Sequence, residues 1–486
     1  MKNSFFLFLL GISILGLSIP TLAGGSFMGE PPTISTVTLD GSVCVDRLSA
    51  IDQQTIKVAI KNAFGKHIPI SCASTPLAFY DQGASIFVNP AEKGVMAVVS
   101  ITISGIKVKL NKNISVFKNL QTLKVEYSNI KKIPAEIGEL SNLRNLSFKG
   151  NNFIQKIPID IGKLENLKIL DLSSNFISKV PDEIGNLKNL ETLIFDQEHF
   201  TELPKTIKNL EKLKTLILGT GGTLKNFPEE IESLKNLEHL QISGSFSSIP
   251  LDIWALNKLE SLSIVSPYLP AIPNTLGNLN NLKQLELYGD PFNGAFSSIP
   301  ETIGDLKNLE ELSLGGNFSV IPSTVGNLIN LKSLSIEAPL SSLPTEIGNL
   351  TNLKRLYIAG TETSSLSSIP KSIGNLKNLE GLYIANFKQL QTIPSEIWTL
   401  SNLTELGLSY NQISSIDAHI GDLKKIQNLG LTSNALTTLP IENLKNIDNL
   451  QVLDNKFSTA EKERIQKIFK GRNIGLDFNS KCNRVN

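Results

Sequence analysis

The feature that most limits how this chain can fold is a unit that returns every 21 to 27 residues between Val98 and Ile447. Its clearest copy runs from Leu167 to Asn189, LKILDLSSNFISKVPDEIGNLKN. Leu167, Leu170, Leu172, Asn175, Ile177 and Val180 fall in the order LxxLxLxxNxLxxL, and Pro181, Ile184, Gly185 and Leu187 lead on to Leu190. One such unit has an apolar edge that it cannot bury by itself, so it is stable only between neighbours or beneath a cap. The chain is therefore read as a solenoid that grows by addition. Its 486 residues do not translate into the two or three globular domains that length alone would imply.

Sixteen units can be followed, the first opening at Val98, Leu120 and Leu143 and the last at Leu403, Ile426 and Ile447. The LxL portion of each is expected to form a short parallel strand, because alternate residues share a face and both leucines then point inward. The return segment opens on proline, which suits the first turn of a helix. Gly185 sits between the inward Ile184 and Leu187, where it permits close packing of a short turn rather than a long helix. Sixteen strands about 4.8 Å apart would line an inner face roughly 75 Å long. The ninth position of a unit is expected to hold an asparagine whose amide satisfies the turn leaving the strand. It does so at Asn151, Asn175, Asn317, Asn411, Asn434 and Asn455, but Glu198, Gly221, Ser245, Pro267, Asp290, Pro339 and Phe387 stand in its place elsewhere. The turns in the middle of the solenoid should therefore be less regular than those near its ends.

The segments outside the repeat have their own signals. Lys2, the apolar run Phe5 to Leu17 and the small-residue site Thr21-Leu22-Ala23 read as a signal peptide over residues 1–23. Its apolar core is shorter than the ~20 residues that a spanning helix needs. The mature product is expected to be exported, with no integral membrane segment after cleavage. It would be secreted, periplasmic or held at a cell surface. Residues 24–97 are assigned to an N-terminal cap with an amphipathic helix over Leu48–Phe64 and a strand at Ser85–Val88; residues 98–457 are the solenoid. In residues 458–486, Ser458 or Thr459 caps a helix whose apolar face is Ile465, Ile468 and Phe469. With three cysteines in an oxidising compartment one is left over. Cys44 and Cys72 are the natural disulfide, leaving Cys482 free or intermolecular; the alternative is three buried thiols.

With the consensus IPxxIGxLxNLxxLxLxxN in view, the chain resembles the leucine-rich repeat proteins, and most of all their 23-residue bacterial and Ras-group class. FSTAEKERIQKIF resembles the helical cap that closes many bacterial members. The resemblance covers about three quarters of the chain. It implies an α/β fold: a curved solenoid with a parallel concave β-sheet, short helical or 3-10 convex segments, and a cap at either end. It also implies recognition of another macromolecule, usually a protein, without saying which.

No catalytic constellation is legible. The four histidines are scattered, with no HExxH, and there is no CxxC, GxSxG or GxxxxGK. No cofactor and no metal site is expected, and the chain is read as a non-enzyme. Its 46 basic and 45 acidic residues, net +1, give none of the basic excess of a nucleic-acid binder.

Binding is the better question. Strand register should display the third, fifth, seventh and eighth residues of each unit on the concave side. Most are small, such as Ser173, Ser174, Ser261, Ser263, Gly315 and Gly316. Five of the seven tyrosines, Tyr127, Tyr288, Tyr357, Tyr383 and Tyr410, also fall there, four of them from Leu282 onward, beside Glu286, Arg355, Asn386 and Glu405. Tyrosine and arginine dominate interface energetics because they bury much area while keeping a polar end. The longer steps after Leu282 and Leu353 insert residues on one edge of the same region, and such insertions often map to a binding face. Phe292 and Phe296, in the first insertion, are assigned to the core. The sequence thus points to recognition of a protein or glycoprotein by the concave C-terminal half. Two readings compete with it, an envelope scaffold or self-associating surface protein, and an inhibitor of a secreted hydrolase.

Overall fold

The computed structural model describes residues 43–44, 50–66, 83–88, 95, 98–219, 223–290, 295–444 and 447–470. The expected signal segment, Cys72, Phe292 and Cys482 lie outside these, and with them the Cys44–Cys72 pairing. The described residues fall into two compact units, which divide between Ser266 and Pro267. In the N-terminal unit, β1 (Val43–Cys44), α1 (Ala50–Phe64) and β2 (Gly83–Val88) precede eight parallel strands. These are β3 (Val98–Ser104), β4 (Thr122–Glu126), β5 (Asn145–Ser147), β6 (Ile169–Asp171), β7 (Thr192–Asp196), β8 (Thr215–Gly219), β9 (His239–Ser243) and β10 (Ser261–Val265). The C-terminal unit holds eight more: β11 (Gln284–Tyr288), β12 (Glu311–Gly315), β13 (Ser333–Glu337), β14 (Arg355–Ala359), β15 (Gly381–Ala385), β16 (Glu405–Gly407), β17 (Asn428–Gly430) and β18 (Asn449–Gln451), followed by α2 (Thr459–Ile468).

Register follows the leucines. Leu285, Leu312, Leu334, Leu356, Leu382, Leu406, Leu429 and Leu450 stand opposite one another across β11 to β18, each 2 % exposed or less. A one-residue slip would turn the whole row to the other face. Fully burying each such side chain stabilises the stack by about 2 kcal/mol, and only a neighbouring repeat can supply the cover.

The return segments are 3-10 turns, five residues long except for the last (Ile441–Asn443), for example Asp182–Asn186 and Thr345–Asn349. The proline before them lies just outside the turn in extended backbone, φ −75° and ψ 153° at Pro181, rather than inside the first turn as the sequence implied. Gly185 is fixed by contact: a Cβ there would come 2.4 Å from the Thr206 carbonyl oxygen of the next repeat.

The asparagine turn works as a ladder. Asn151 Nδ2 donates to Val125 O (2.7 Å) and Phe148 O (2.8 Å), while its Oδ1 accepts from the amides of Ser128 and Ile130. Asn175, Asn411, Asn434 and Asn455 repeat parts of this pattern. In all five of these units the strand is only three residues long, because the side chain takes over carbonyls that a longer strand would pair. Strands β7 to β15 are five residues each. The middle of the chain, where most of the ladder asparagines are missing, thus has uniformly longer strands. Asn317 follows one of these longer strands and is exposed, which corrects its assignment as an inward turn residue. Glu198 keeps the acceptor half of the ladder: its two carboxylate oxygens take the amides of Asn175 and Ile177 at 2.7 Å each.

At the N-terminal end β2 runs antiparallel to β3, and the last carbonyls of α1 are taken by Lys109 and Asn111 amides and by the Asn111 and Asn113 side chains. At the other end Ser458 caps α2 by accepting from the Glu461 amide. Ile465 and Phe469 are buried, but Ile468 is 40 % exposed and does not belong to the apolar face assigned to it.

Candidate functional site

The displayed face of the C-terminal unit is built in columns, because paired strands keep zero offset. The third-position column runs Gln284, Glu311, Ser333, Arg355, Gly381, Glu405. The fifth runs Glu286, Ser313, Ser335, Tyr357, Tyr383, Gly407, and the seventh Tyr288, Gly315, Glu337, Ala359, Ala385. Tyr357 and Tyr383 are therefore direct neighbours, their ring centroids 6.3 Å apart and tilted by 46°.

Tyr127, Tyr288 and Tyr383 each lie down over a glycine of the next repeat. Tyr288 lies across Gly315, where a Cβ would come 2.5 Å from its Cε2, and its hydroxyl donates to Glu337 two strands along. Tyr383 lies across Gly407 in the same way and donates to Glu405. Tyr127 of the N-terminal unit covers Gly150. All four tyrosines named for the C-terminal unit are half-buried, Arg355 and Asn386 are exposed, and Glu286 and Glu405 are half-buried. Asn386 and Tyr410 occupy the eighth position of their units with φ 67° and 59°. They sit beyond the ends of β15 and β16 rather than within the columns.

Burial governs the electrostatics. It raises the phenols of Tyr288, Tyr357 and Tyr383 above their ordinary value, with Glu337 adding to the first two and the bond to Glu405 to the third. The hydroxyls therefore stay protonated donors. Burial also raises the Glu337 carboxyl, offset in part by the Tyr288 hydroxyl, and that of Glu311, where Glu310 adds to the rise and Arg355 opposes it. Tyr288 and Tyr383 have their hydroxyls engaged, whereas that of Tyr357 makes no hydrogen bond among the described residues. The face thus offers apolar ring area, one uncommitted phenol and one exposed guanidinium.

Sequence reasoning missed Glu337, Glu311 and the two glycine seats. A signal for the seats exists: each of Tyr127, Tyr288 and Tyr383 is followed one repeat later by a glycine, Gly150, Gly315 or Gly407. Of the two insertions, Phe296 is buried and stacks on Phe318 at 5.4 Å, as assigned. The loop after β14 is closed by Ser364, whose Oγ accepts from the Thr361 amide. A groove of about 750 Å³ on this unit is lined by residues already paired to one another, Lys332 to Glu310 at 2.6 Å and Lys354 to Glu380 at 3.2 Å. Among the described residues no group of three His, Cys, Asp or Glu is placed to hold a metal ion, and no helix is long and apolar enough to cross a membrane.

A leucine-rich repeat protein of Leptospira interrogans, known from its structure, is 31 % identical to this chain, which covers 90 % of it over 77 % of its own length, with a TM-score of 0.58. The chain belongs to the leucine-rich repeat proteins. A family model described as a leucine-rich repeat region matches residues 158–264 and 274–367 of this leucine-rich repeat chain. Two further solved members share the fold at lower identity. An internalin of Listeria monocytogenes is 21 % identical, with 69 % of this chain and 87 % of that one covered and a TM-score of 0.53. The Arabidopsis receptor kinase HAESA, in complex with a peptide hormone and a co-receptor, is 24 % identical, with 73 % and 65 % covered and a TM-score of 0.54. No curated protein sequence matches this leucine-rich repeat protein.

Proposed function

We propose that this protein is an exported, non-catalytic recognition protein of the 23-residue repeat class, and that it takes a protein or glycoprotein partner on the sheet face of its C-terminal unit. The observation that carries the reading is the Tyr357–Tyr383 pair, two adjacent rings 6.3 Å apart beside the exposed Arg355. Half-buried rings offer apolar area at little cost in side-chain entropy, and the free Tyr357 hydroxyl gives direction to a contact. Glu286, Tyr288 and Glu405 frame the pair, with Asn386 and Tyr410 at the ends of its strands. The complex of HAESA with a peptide hormone supports the reading by showing that the fold accommodates polypeptide ligands.

The test is affinity capture with the full chain from the cells or secretions it meets, followed by titration of the captured partner against a Tyr357→Ala/Tyr383→Ala variant. A loss of at least about tenfold with an unchanged melting temperature is expected for central aromatic anchors. Unchanged affinity removes the patch from the interface. Export is tested separately by cell fractionation, in which recovery of the protein from the cytoplasmic fraction alone would overturn it.

A further inference from the structure

The flank of the N-terminal unit beyond its sheet carries a second, shorter ladder. Phe176 N donates to Ile154 O at 3.0 Å, His199 N to Ile177 O at 3.1 Å, and Lys156 bridges Lys179. In four successive rungs one side chain is buried: Ile130, Ile154, Ile177 and Phe200, all 0 % exposed. The residue before each (Asn129, Phe153, Phe176, His199) and the residue two after it (Lys132, Lys156, Lys179, Glu202) are all exposed. Two parallel lines result: three rings follow Asn129 in one, and three lysines precede Glu202 in the other. Phe153 and Phe176 are 50 % and 48 % exposed. Phe176 stacks on His199 at 4.8 Å, and Lys131 Nζ stands 5.9 Å from the Phe153 ring centre.

The repeat demands neither line. In the C-terminal unit the positions equivalent to Lys132, Lys156 and Lys179 run from Ala271 through Ser298, Val320, Ser342 and Ser368 to Thr438 without a charge, and of those equivalent to Phe153 and Phe176 only Tyr268, at the start of the unit, is aromatic. Lys132, Lys156 and Lys179 form no ion pair among the described residues. The three unpaired lysines outnumber the single anion of their line, Glu202, and place net positive charge beside exposed apolar rings.

We propose that this flank docks on an anionic lipid surface. Charge complementarity calls for an anionic partner, and the rings decide its kind. Phe176 and His199 turn their faces to each other, so that pair offers ring edges rather than open platforms for stacking a sugar. Lysine is depleted in protein interfaces, whereas lysines near an anionic leaflet each add attraction and interfacial aromatic rings sit at headgroup level. A bilayer accepts such a ridge without a matching pocket.

The experiment is co-sedimentation of the full chain with vesicles of phosphatidylcholine alone and of phosphatidylcholine mixed with phosphatidylglycerol. Binding is expected only to the mixed vesicles and should weaken as salt rises. Lys132→Ser/Lys156→Ser/Lys179→Ser should weaken it about a hundredfold, and Phe153→Gln/Phe176→Gln about tenfold. Serine and glutamine already occupy these positions in the C-terminal repeats, and thermal melts check that each variant folds; if the triple variant does not, Lys156→Ser alone is read. No binding to the mixed vesicles, equal binding to both, or binding that the folded variants retain would overturn the proposal. So would binding to polyglutamate that the lysine variant loses while neither form sediments with vesicles, since that identifies a polypeptide partner instead.

Discussion

Tyr383 lies across Gly407 of the following repeat, so closely that a Cβ on the glycine would come 2.5 Å from its Cδ1. The glycine is part of the tyrosine's geometry, and so is the reach of its hydroxyl to Glu405. Gly407→Ala should lift the ring, break that bond and destabilise the protein by about 1–3 kcal/mol, as read by urea unfolding. It should also weaken the captured partner to an extent similar to Tyr383→Ala. An alanine variant with full stability and full affinity would show that the ring does not need its seat.

Asn411 and Asn317 hold the same position in their repeats but should respond in opposite ways. The Asn411 amide donates to Ile384 and Leu408 carbonyls and accepts from the Phe387 amide, all buried. Removing it strands these groups, so Asn411→Ala should lower stability by about 2 kcal/mol or more. Asn317 is exposed beyond a five-residue strand, and Asn317→Ala should lie within about 0.5 kcal/mol of wild type. Equal losses in the two denaturation curves would contradict the division between short-strand and long-strand repeats.

Glu198 makes stability depend on pH. Burial pushes its carboxyl up to about 8, against the bonds from the Ile177 and Asn175 amides and with Asp196 and Asp171 adding to the rise. Between the unfolded value of about 4.3 and this folded value the native state holds the extra proton. The contribution is therefore full below the unfolded value and lost as pH rises through the folded one. Glu198→Gln keeps an acceptor without the charge and should flatten the fall in melting temperature between about pH 4.5 and pH 8. A wild-type slope retained in the variant would place the titration elsewhere.

Gly185→Ala tests the return turns. Its Cβ would meet the Thr206 carbonyl oxygen at 2.4 Å, and backbone cannot move aside as a flexible side chain can. A loss of about 1–3 kcal/mol is expected. Gly381→Ala, whose nearest neighbour would be 3.4 Å away on the Tyr383 ring, should be far milder in the same assay.

The repeat made the sheet legible from leucines alone, since their spacing admits one register and one inward face. The eight strands of each unit begin where the leucines place them. What the leucine spacing alone does not show is how two of the displayed tyrosines use the face. Alternation places Tyr288 and Tyr383 on it but does not say that they lie down over glycines, because that depends on a residue in the next repeat. Glu337 was missed for the same reason: its partner is two strands away. Asn317 misled because a matching position does not reveal whether the strand before it stops after three residues or five. Pro181 misled by one position because proline serves equally outside a 3-10 turn and inside a helix.

The seating of Tyr288 on Gly315 and of Tyr383 on Gly407 has a consequence for how such a chain can change. The usual route by which repeat arrays lengthen or shorten is the gain or loss of one whole unit, which the leucine ladder tolerates because every unit presents the same edges. A ring and its seat, however, are encoded in different units. Removing the single unit that begins at Leu309 would bring Tyr288 against Glu337 in place of Gly315, leaving the ring without its seat. The heritable element on this face is therefore a pair or a triplet of repeats, and it should be copied, lost or grafted only in blocks of that size.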